Sequence, residues 1–420
     1  MNWKKVLGPG LLFASMAIGV SHLVQSTRAG ANYGFALVWV VIAANVFKYP
    51  FFEYASRYAN ATGESTIDGY NRLGRIPLLI YFLVTLGSMF FVMGAVGFVT
   101  VGFMDNLFGL SALWPGFELF PTLLLFVICC SILLLGKFNA LDGLIKVIGI
   151  VLLLSTLLAF VLTLIHGPVE RVAGFVPPEV YDEAGLLFII ALMGWMPTAL
   201  DLSTWNSLWT VEKIKISGYH PSLRETLREY NMGYWVAGVL SLFFLTMGAF
   251  LIYGTGIQMP AGSAAFAHKV VSLYTTTIGE WSYFIISASA FSIMFGTSIA
   301  VFDGYARSLE RATELVFLDQ KKATAALDDS KMYNVSLIVL AVGSFMLIAL
   351  FLSHFKLLID IATTISFLIA PLVALANMRL VTARYVPEEA VPPFWLRCLS
   401  YAGLVFLLGF ALFFVVVKLS

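Results

Sequence analysis

The stretch GLLFIIALMGWMPTALDLSTWNSLW, residues 185–209, decides the fold. Gly194 and Pro197 interrupt an apolar run long enough to cross a bilayer, and Asp201, Ser203, Thr204 and Asn206 follow within a few residues. A bilayer core about 30 Å thick takes roughly 20 mainly apolar residues per helix. Proline has no N–H to give and crowds the preceding turn, so carbonyls near Met196 lose their helical partners. Lipid tolerates such groups only where the backbone is buried in protein or lines a cavity. A membrane helix broken near its middle is the reading.

A second stretch repeats the pattern. GPGLLFASMAIGVSHLVQSTRAGANYG, residues 8–34, carries Gly19, Ser21 and His22 at mid-depth. Aligned on the interruptions, Met16 matches Met193, Ser21 matches Thr198, Leu23 matches Leu200, and Ser26-Thr27 match Ser203-Thr204. The two stretches are the first helices of two five-helix halves, which is how inverted-repeat carriers build a site near the midplane. Unwound centres are expected at about 17–22 and 194–198.

The whole chain agrees with a membrane setting. Of its 420 residues 60% are hydrophobic and 12% charged, against about 45–50% and about 25% in soluble proteins. Eleven apolar stretches fall near 10–31, 35–57, 76–104, 119–136, 141–165, 185–211, 233–254, 281–305, 333–353, 357–379 and 396–417. They run far longer than the ~10 residues of a barrel strand, so the spans are helices. The fold class expected is an all-α integral membrane protein with a LeuT-like 5+5 inverted repeat and discontinuous helices one and six. Residues 1–166 form the first half, 167–382 the second, and 383–420 a peripheral eleventh span.

Charge sets orientation and excludes partners. Eighteen Lys and Arg fall on one side of this topology and five on the other, with Lys48 and Lys146 inside spans. The rule that cytoplasmic loops keep positive charge gives a multi-pass cell-membrane protein, N-terminus cytoplasmic and C-terminus extracellular. No cleavable signal peptide is expected. With a net charge of +1 there is no basic face for nucleic acid. Cys129, Cys130 and Cys398 lack CxxC spacing and read as small apolar residues. Loops are short, no nucleophile-base pair, phosphate loop or hydrolase motif occurs, and neither an enzyme nor a cofactor is expected. Residues 306–332 read as a solvated cytoplasmic helix and turn, and 262–275 as an interfacial helix capping an entrance.

Several motifs resemble the Nramp (natural resistance-associated macrophage protein) divalent metal transporters: GPGLL at 8–12, AGANYGFALVW at 29–39, RYANATGEST at 57–66, KFNALDGLIKVIG at 137–149, and Met196-Pro197. The resemblance implies a fold like the sodium-coupled amino-acid symporters, with span eleven peripheral. Departures stand at the site itself. Where the family has Asp-Pro-Gly-Asn in span one, this chain has Gly19, Val20, Ser21 and His22; the family's Met-Pro-His is Met196-Pro197-Thr198. The family's acidic residue of span three and basic residue of span nine have no counterpart between Ile76 and Met104 or between Tyr333 and Ser353.

Candidate residues follow from this comparison and from chemistry. His22, in mid-span, is either a transition-metal ligand and proton acceptor or a hydrogen-bonded structural group. Asp201 is expensive in lipid unless paired or solvated; it replaces the missing carboxylate of span one or pairs with Lys48. Met196 is the soft ligand, suited to transition metals over Mg²⁺ or Ca²⁺. Gly19, Ser21, Gln25, Thr198 and Thr363 complete a substrate-binding set. Lys48, grouped with Glu53 near the cytoplasmic end of span two, and Asp303 are candidates for gating or coupling beside His22, and Asp360 for a cap or gate.

The expected function is alternating-access transport of a divalent cation of the Mn, Fe or Mg type, without the family's usual proton coupling. A non-metal small solute on the same fold is the alternative. A non-transporting sensor, its cavity closed by Trp195, is the second. Partners are a small ion or molecule and the lipid bilayer.

Overall fold

The computed structural model describes residues 8–114, 119–257, 260, 263–318 and 331–419, with side chains at 136–149, 151–152, 273, 276–278, 355 and 417–419 left aside. All regular elements among them are helical. Seven helices are long and apolar enough to cross a membrane: Pro9–Tyr33, Arg75–Phe108, Leu223–Leu251, Glu280–Phe317, Lys331–Leu350, Lys356–Leu380 and Phe394–Val416. The shorter apolar helices Phe120–Leu135, Leu153–His166 and Glu183–Gly194, with Val38–Thr62, account for the remaining predicted crossings.

Span one is broken where expected, over a shorter stretch. Pro9–Ala17 ends at Ile18 and Gly19, Ser21–Ser26 winds as a π-helix, and Thr27–Tyr33 completes the crossing. The polar residues at 21–22 therefore lie on a wide helical turn instead of open chain. Span six stops at Gly194, leaves helical geometry over 195–199, and resumes through a short turn Leu200–Leu202 into Ser203–Ser217. Its Met196–Pro197 peptide is cis.

Apolar surface gives helices no net drive to associate within lipid, so close approach through small residues becomes the main cohesion. Spans one and seven use it on both sides of the break. A Cβ on Gly30 would lie 1.9 Å from the Leu245 carbonyl oxygen, one on Gly248 2.3 Å from that of Thr27, and one on Gly233 2.1 Å from that of Gly10. Only glycine fits at these crossings.

Several boundaries differ from the sequence reading. Span seven begins at Leu223, ten residues before the expected 233, because Ser222 and Glu225 form a reciprocal capping box that starts the helix in the loop. Spans four and five, expected to separate at 137–140, form one helical run, Phe120–His166. No proline lies after its first turn to stop it. Yet Phe126 packs edge-on against Phe302, while Ala159 shares a small pocket with Ile293. A straight helix would put Phe126 and Ala159 about 50 Å apart, whereas Phe302 and Ile293 are separated by about 13 Å along span eight. The run bends between them.

The helix Ser263–Ile278 buries Phe266, Val270 and Val271 and touches span three, where a Cβ on Gly102 would meet the Ser263 carbonyl at 2.5 Å. Span eight continues past the expected 305 to Phe317, and residues 319–330 of the charged segment lie outside the described residues. Span eleven is largely exposed and rests on span two, with Gly403 against the Phe47 carbonyl.

Candidate functional site

The break of span six leaves carbonyls without helical partners. Lys48, fully buried on span two, takes them: its Nζ donates to the carbonyl oxygens of Met193 at 2.5 Å, Gly194 at 2.9 Å and Thr198 at 3.3 Å. An ammonium has three N–H groups, and all three are used. This corrects the reading of Lys48 as a residue near the cytoplasmic end of span two, grouped with Glu53. Glu53 instead pairs with Arg57 at 2.5 Å, one turn further along.

The break of span one is sealed from span eight. Thr297 Oγ1 lies 2.8 Å from the Ser15 carbonyl and 3.4 Å from that of Ile18, and a Cβ on Gly19 would come within 2.8 Å of it. Between the breaks lies a cavity of about 20 Å³ lined by Ser21, Thr198, Trp195 and Thr297 with Met16, Val20 and other apolar side chains. It holds on the order of one water molecule. Trp195 closes one wall, its Nε1 donating to Ser366 Oγ at 2.9 Å.

His22 turns away from this cavity. Its Nε2 lies 2.8 Å from the Ala237 carbonyl of span seven, and Nδ1 lies 2.7 Å from Ser21 Oγ. A carbonyl only accepts, so Nε2 carries hydrogen, and both ring nitrogens are engaged. Ligation of a metal would break one of these bonds. Met196, fully buried, lies among the apolar core and is not among the residues lining the cavity.

Asp201, on the short turn after the break, faces spans three and eight. Its Oδ2 accepts from Ser88 Oγ at 3.4 Å, and Ser88 also meets the Tyr305 hydroxyl at 3.2 Å. Oδ1 is buried without a hydrogen-bond partner. A membrane-embedded carboxylate oxygen left open is the kind of group that a ligand or water completes. Lys48 acts on Asp201 electrostatically, but its hydrogen bonds go to the backbone, so the two do not form the direct pair weighed from sequence.

Gln25 and Thr363 have other duties. Gln25 accepts from Arg28 Nη1 at 3.1 Å and donates to Asp360 at 3.4 Å, inside an Arg28–Asp360 ion pair of 2.9 Å that ties span one to span ten. Thr363 Oγ1 donates to Ile359 and Asp360 carbonyls of its own helix, while its carbonyl packs so closely on Gly194 that a Cβ there would sit 2.0 Å away. Asp303 is a hub at the opposite end, accepting from Trp209 of span six at 2.8 Å, Arg307 at 2.9 Å and Tyr333 of span nine at 2.9 Å.

Of the predicted set, then, Ser21 and Thr198 line the cavity, Gly19 abuts the threonine that seals it, and Asp201, on span six, meets Ser88 of span three outside the cavity lining. His22, Met196 and Asp201 do not converge on that cavity. Among the described residues no group of three His, Cys, Asp or Glu gathers to hold a metal. Sequence reasoning missed Thr297 and Ser88, two hydroxyls on apolar helices that carry no local signal.

The sequence profile described as natural resistance-associated macrophage protein-like matches residues 10–417. The chain belongs to the Nramp family. A relative from Pasteurella multocida, described as uncharacterized, is 34% identical over 413 residues, covering 97% of this chain and 91% of its own. The divalent metal cation transporter of Chromohalobacter salexigens is 24% identical over 265 residues, 61% of this chain and 59% of its own. Among solved structures, a point mutant of the Eremococcus coleocola manganese transporter superposes with a TM-score of 0.69 at 13% identity, covering 98% of this chain and 86% of that one. MhsT in complex with L-phenylalanine gives a TM-score of 0.64 at 12% identity, covering 98% of this chain and 97% of that one. The Nramp member described here is thus a multi-pass, all-helical membrane protein of the LeuT-like fold, built as a transporter.

Proposed function

We propose that this Nramp protein carries a divalent transition-metal cation by alternating access, with its N-terminus on the cytoplasmic side and Asp201 as the charge that meets the cargo. The single observation behind this reading is the buried, unpartnered Oδ1 of Asp201 one turn beyond the break of span six. A cavity of about 20 Å³ suits an ion better than an organic molecule, and the relatives named as metal and manganese transporters support the cargo class. The family's proton route has no acid between Ile76 and Met104 and no base between Tyr333 and Ser353, so uptake runs without coupled proton entry by that route. The test is Mn²⁺ uptake into proteoliposomes with a trapped pH dye recorded in parallel. Metal entry lost in Asp201→Asn, with no matching acidification, is the expected result; absence of Mn²⁺, Fe²⁺ and Mg²⁺ uptake by the intact protein overturns it.

One observation favours a second reading, an uncharged polar solute. The Lys48 ammonium already satisfies the three carbonyls that would face a cation at span six, and Asp201 is the acidic group that acts on it. With both ionised the pair has no net negative charge to compensate a dication in low dielectric.

A further inference from the structure

A cavity of about 450 Å³ opens on the flank of the bundle between spans three and ten, away from both breaks. One end is basic. Arg72, Arg379 and Arg384 border it, and no acidic residue does. Arg72 is held by Glu64 at 2.5 Å, but Arg379 and Arg384 take part in no ion pair among the described residues, and Arg384 lies over the Tyr385 ring at 5.5 Å. The other end is apolar and open to the side: Ile80, Leu372 and Leu375, all lining the cavity, are 39%, 51% and 42% exposed. Tyr70 and Tyr81 form the floor, their hydroxyls already bonded to Asn377 and Thr204, so they present ring faces.

Arg379 stands at the end of span ten and Arg384 in the turn that follows, where a membrane helix meets the headgroup layer, and Leu372 and Leu375 lie along span ten toward the bilayer interior. A soluble anion would need the first feature and gain nothing from the second. A neutral lipid would need the second alone. We propose that this groove binds an anionic phospholipid from the leaflet on the arginine side, its phosphate between Arg379 and Arg384 and one acyl chain against Ile80, Leu372 and Leu375. Basic pockets between membrane helices attract such headgroups through charge that is poorly screened at the lipid surface. The volume takes a headgroup and the start of a chain, and the rest of the lipid stays in the bilayer. The floor leads to the transport machinery, because Tyr81 shares a hydrogen bond of 2.7 Å with Thr204, whose Oγ1 donates to the Asp201 carbonyl. An occupied groove would steady span three against the second half of span six.

The test uses the full chain, purified in detergent and delipidated, then titrated with phosphatidylglycerol or phosphatidylcholine of matched chains under native mass spectrometry. Phosphatidylglycerol should be retained preferentially. Arg379→Gln with Arg384→Gln should lower its affinity by roughly 30-fold, about fivefold per arginine, while Arg224→Gln with Arg228→Gln, exposed arginines on span seven, should leave it unchanged. Ile80→Trp, which fills the groove from an exposed position and spares the charges, should weaken binding as well and serves if the double variant does not fold. Equal retention of both lipids overturns the proposal, as does full competition by glycerol 3-phosphate or inorganic phosphate, which would mark a small-anion site. An equal loss in the span-seven control would reduce the effect to general surface charge and overturn it too.

Discussion

Lys48 Nζ stands 2.5 Å from the carbonyl oxygen of Met193, a residue 145 positions further along the chain. The bond joins span two to the end of the first half of span six, where helix geometry can no longer supply a donor. A positive charge inside the bundle is thus tied to backbone dipoles as a bound cation would be.

Lys48→Met should therefore leave three buried carbonyls short of a donor and cost about 2–3 kcal/mol of stability. A thermal melt in detergent reads this directly, and an unchanged transition would mean the carbonyls have another partner. If the cargo is a dication, the same variant should bind Mn²⁺ at least about tenfold more tightly, since a repelling charge has gone. Under the uncharged-solute reading neither protein binds it, as calorimetry would reveal.

Asp201→Asn keeps shape and the Ser88 contact while removing charge. Stability should move by less than about 1 kcal/mol, as for other near-isosteric changes, whereas Mn²⁺ uptake should fall by an order of magnitude or more. Loss of folding in this variant, judged by gel filtration and melting, would make Asp201 a structural acid.

The Arg28–Asp360 pair is partly exposed, at 11% and 38% for the two side chains, so Arg28→Ala should cost only about 1 kcal/mol or less. Its larger effect should be on access. In a Cys398→Ser background, Gln25→Cys should react several-fold faster with a membrane-impermeant thiol reagent once Arg28 is gone. Equal rates would show that the pair does not close that path. Reaction from outside intact cells would also fix the orientation of span one.

Glycine positions divide by neighbour. Gly30→Ala drives a methyl to 1.9 Å from the Leu245 carbonyl and should prevent stable folding or displace span seven. Gly87, with nothing within 4 Å of a would-be Cβ, should accept alanine with a gain of about 0.5–1 kcal/mol, the usual helix-propensity difference. Parallel melts of the two variants check the contrast.

Both breaks are legible in the sequence because proline, glycine and clustered polar groups at mid-span are local signals with a single physical cost in lipid. The partners that seal them are not. Lys48 can be assigned to span two, but which neighbour its side chain meets depends on helix packing across 145 residues, and sequence specifies depth far better than direction around the helix axis. His22 illustrates this most plainly: its depth matches a site residue, yet the π-helical turn Ser21–Ser26 aims its ring at Ala237. The joint between spans four and five escapes the sequence for another reason, since residues 137–140 contain charge but no proline and helix formation carries through.

The seal on span six has a further consequence for how the chain is made. Span two enters the bilayer with Lys48 in its middle, and a lysine there raises the insertion free energy by about 2.5–3.5 kcal/mol. Its acceptors at Met193 and Gly194 are synthesised about 145 residues later, which at ribosomal speed is roughly 7–30 s. During that interval the ammonium must be held by water, headgroups or the insertion machinery, and only the arrival of span six releases it into the protein.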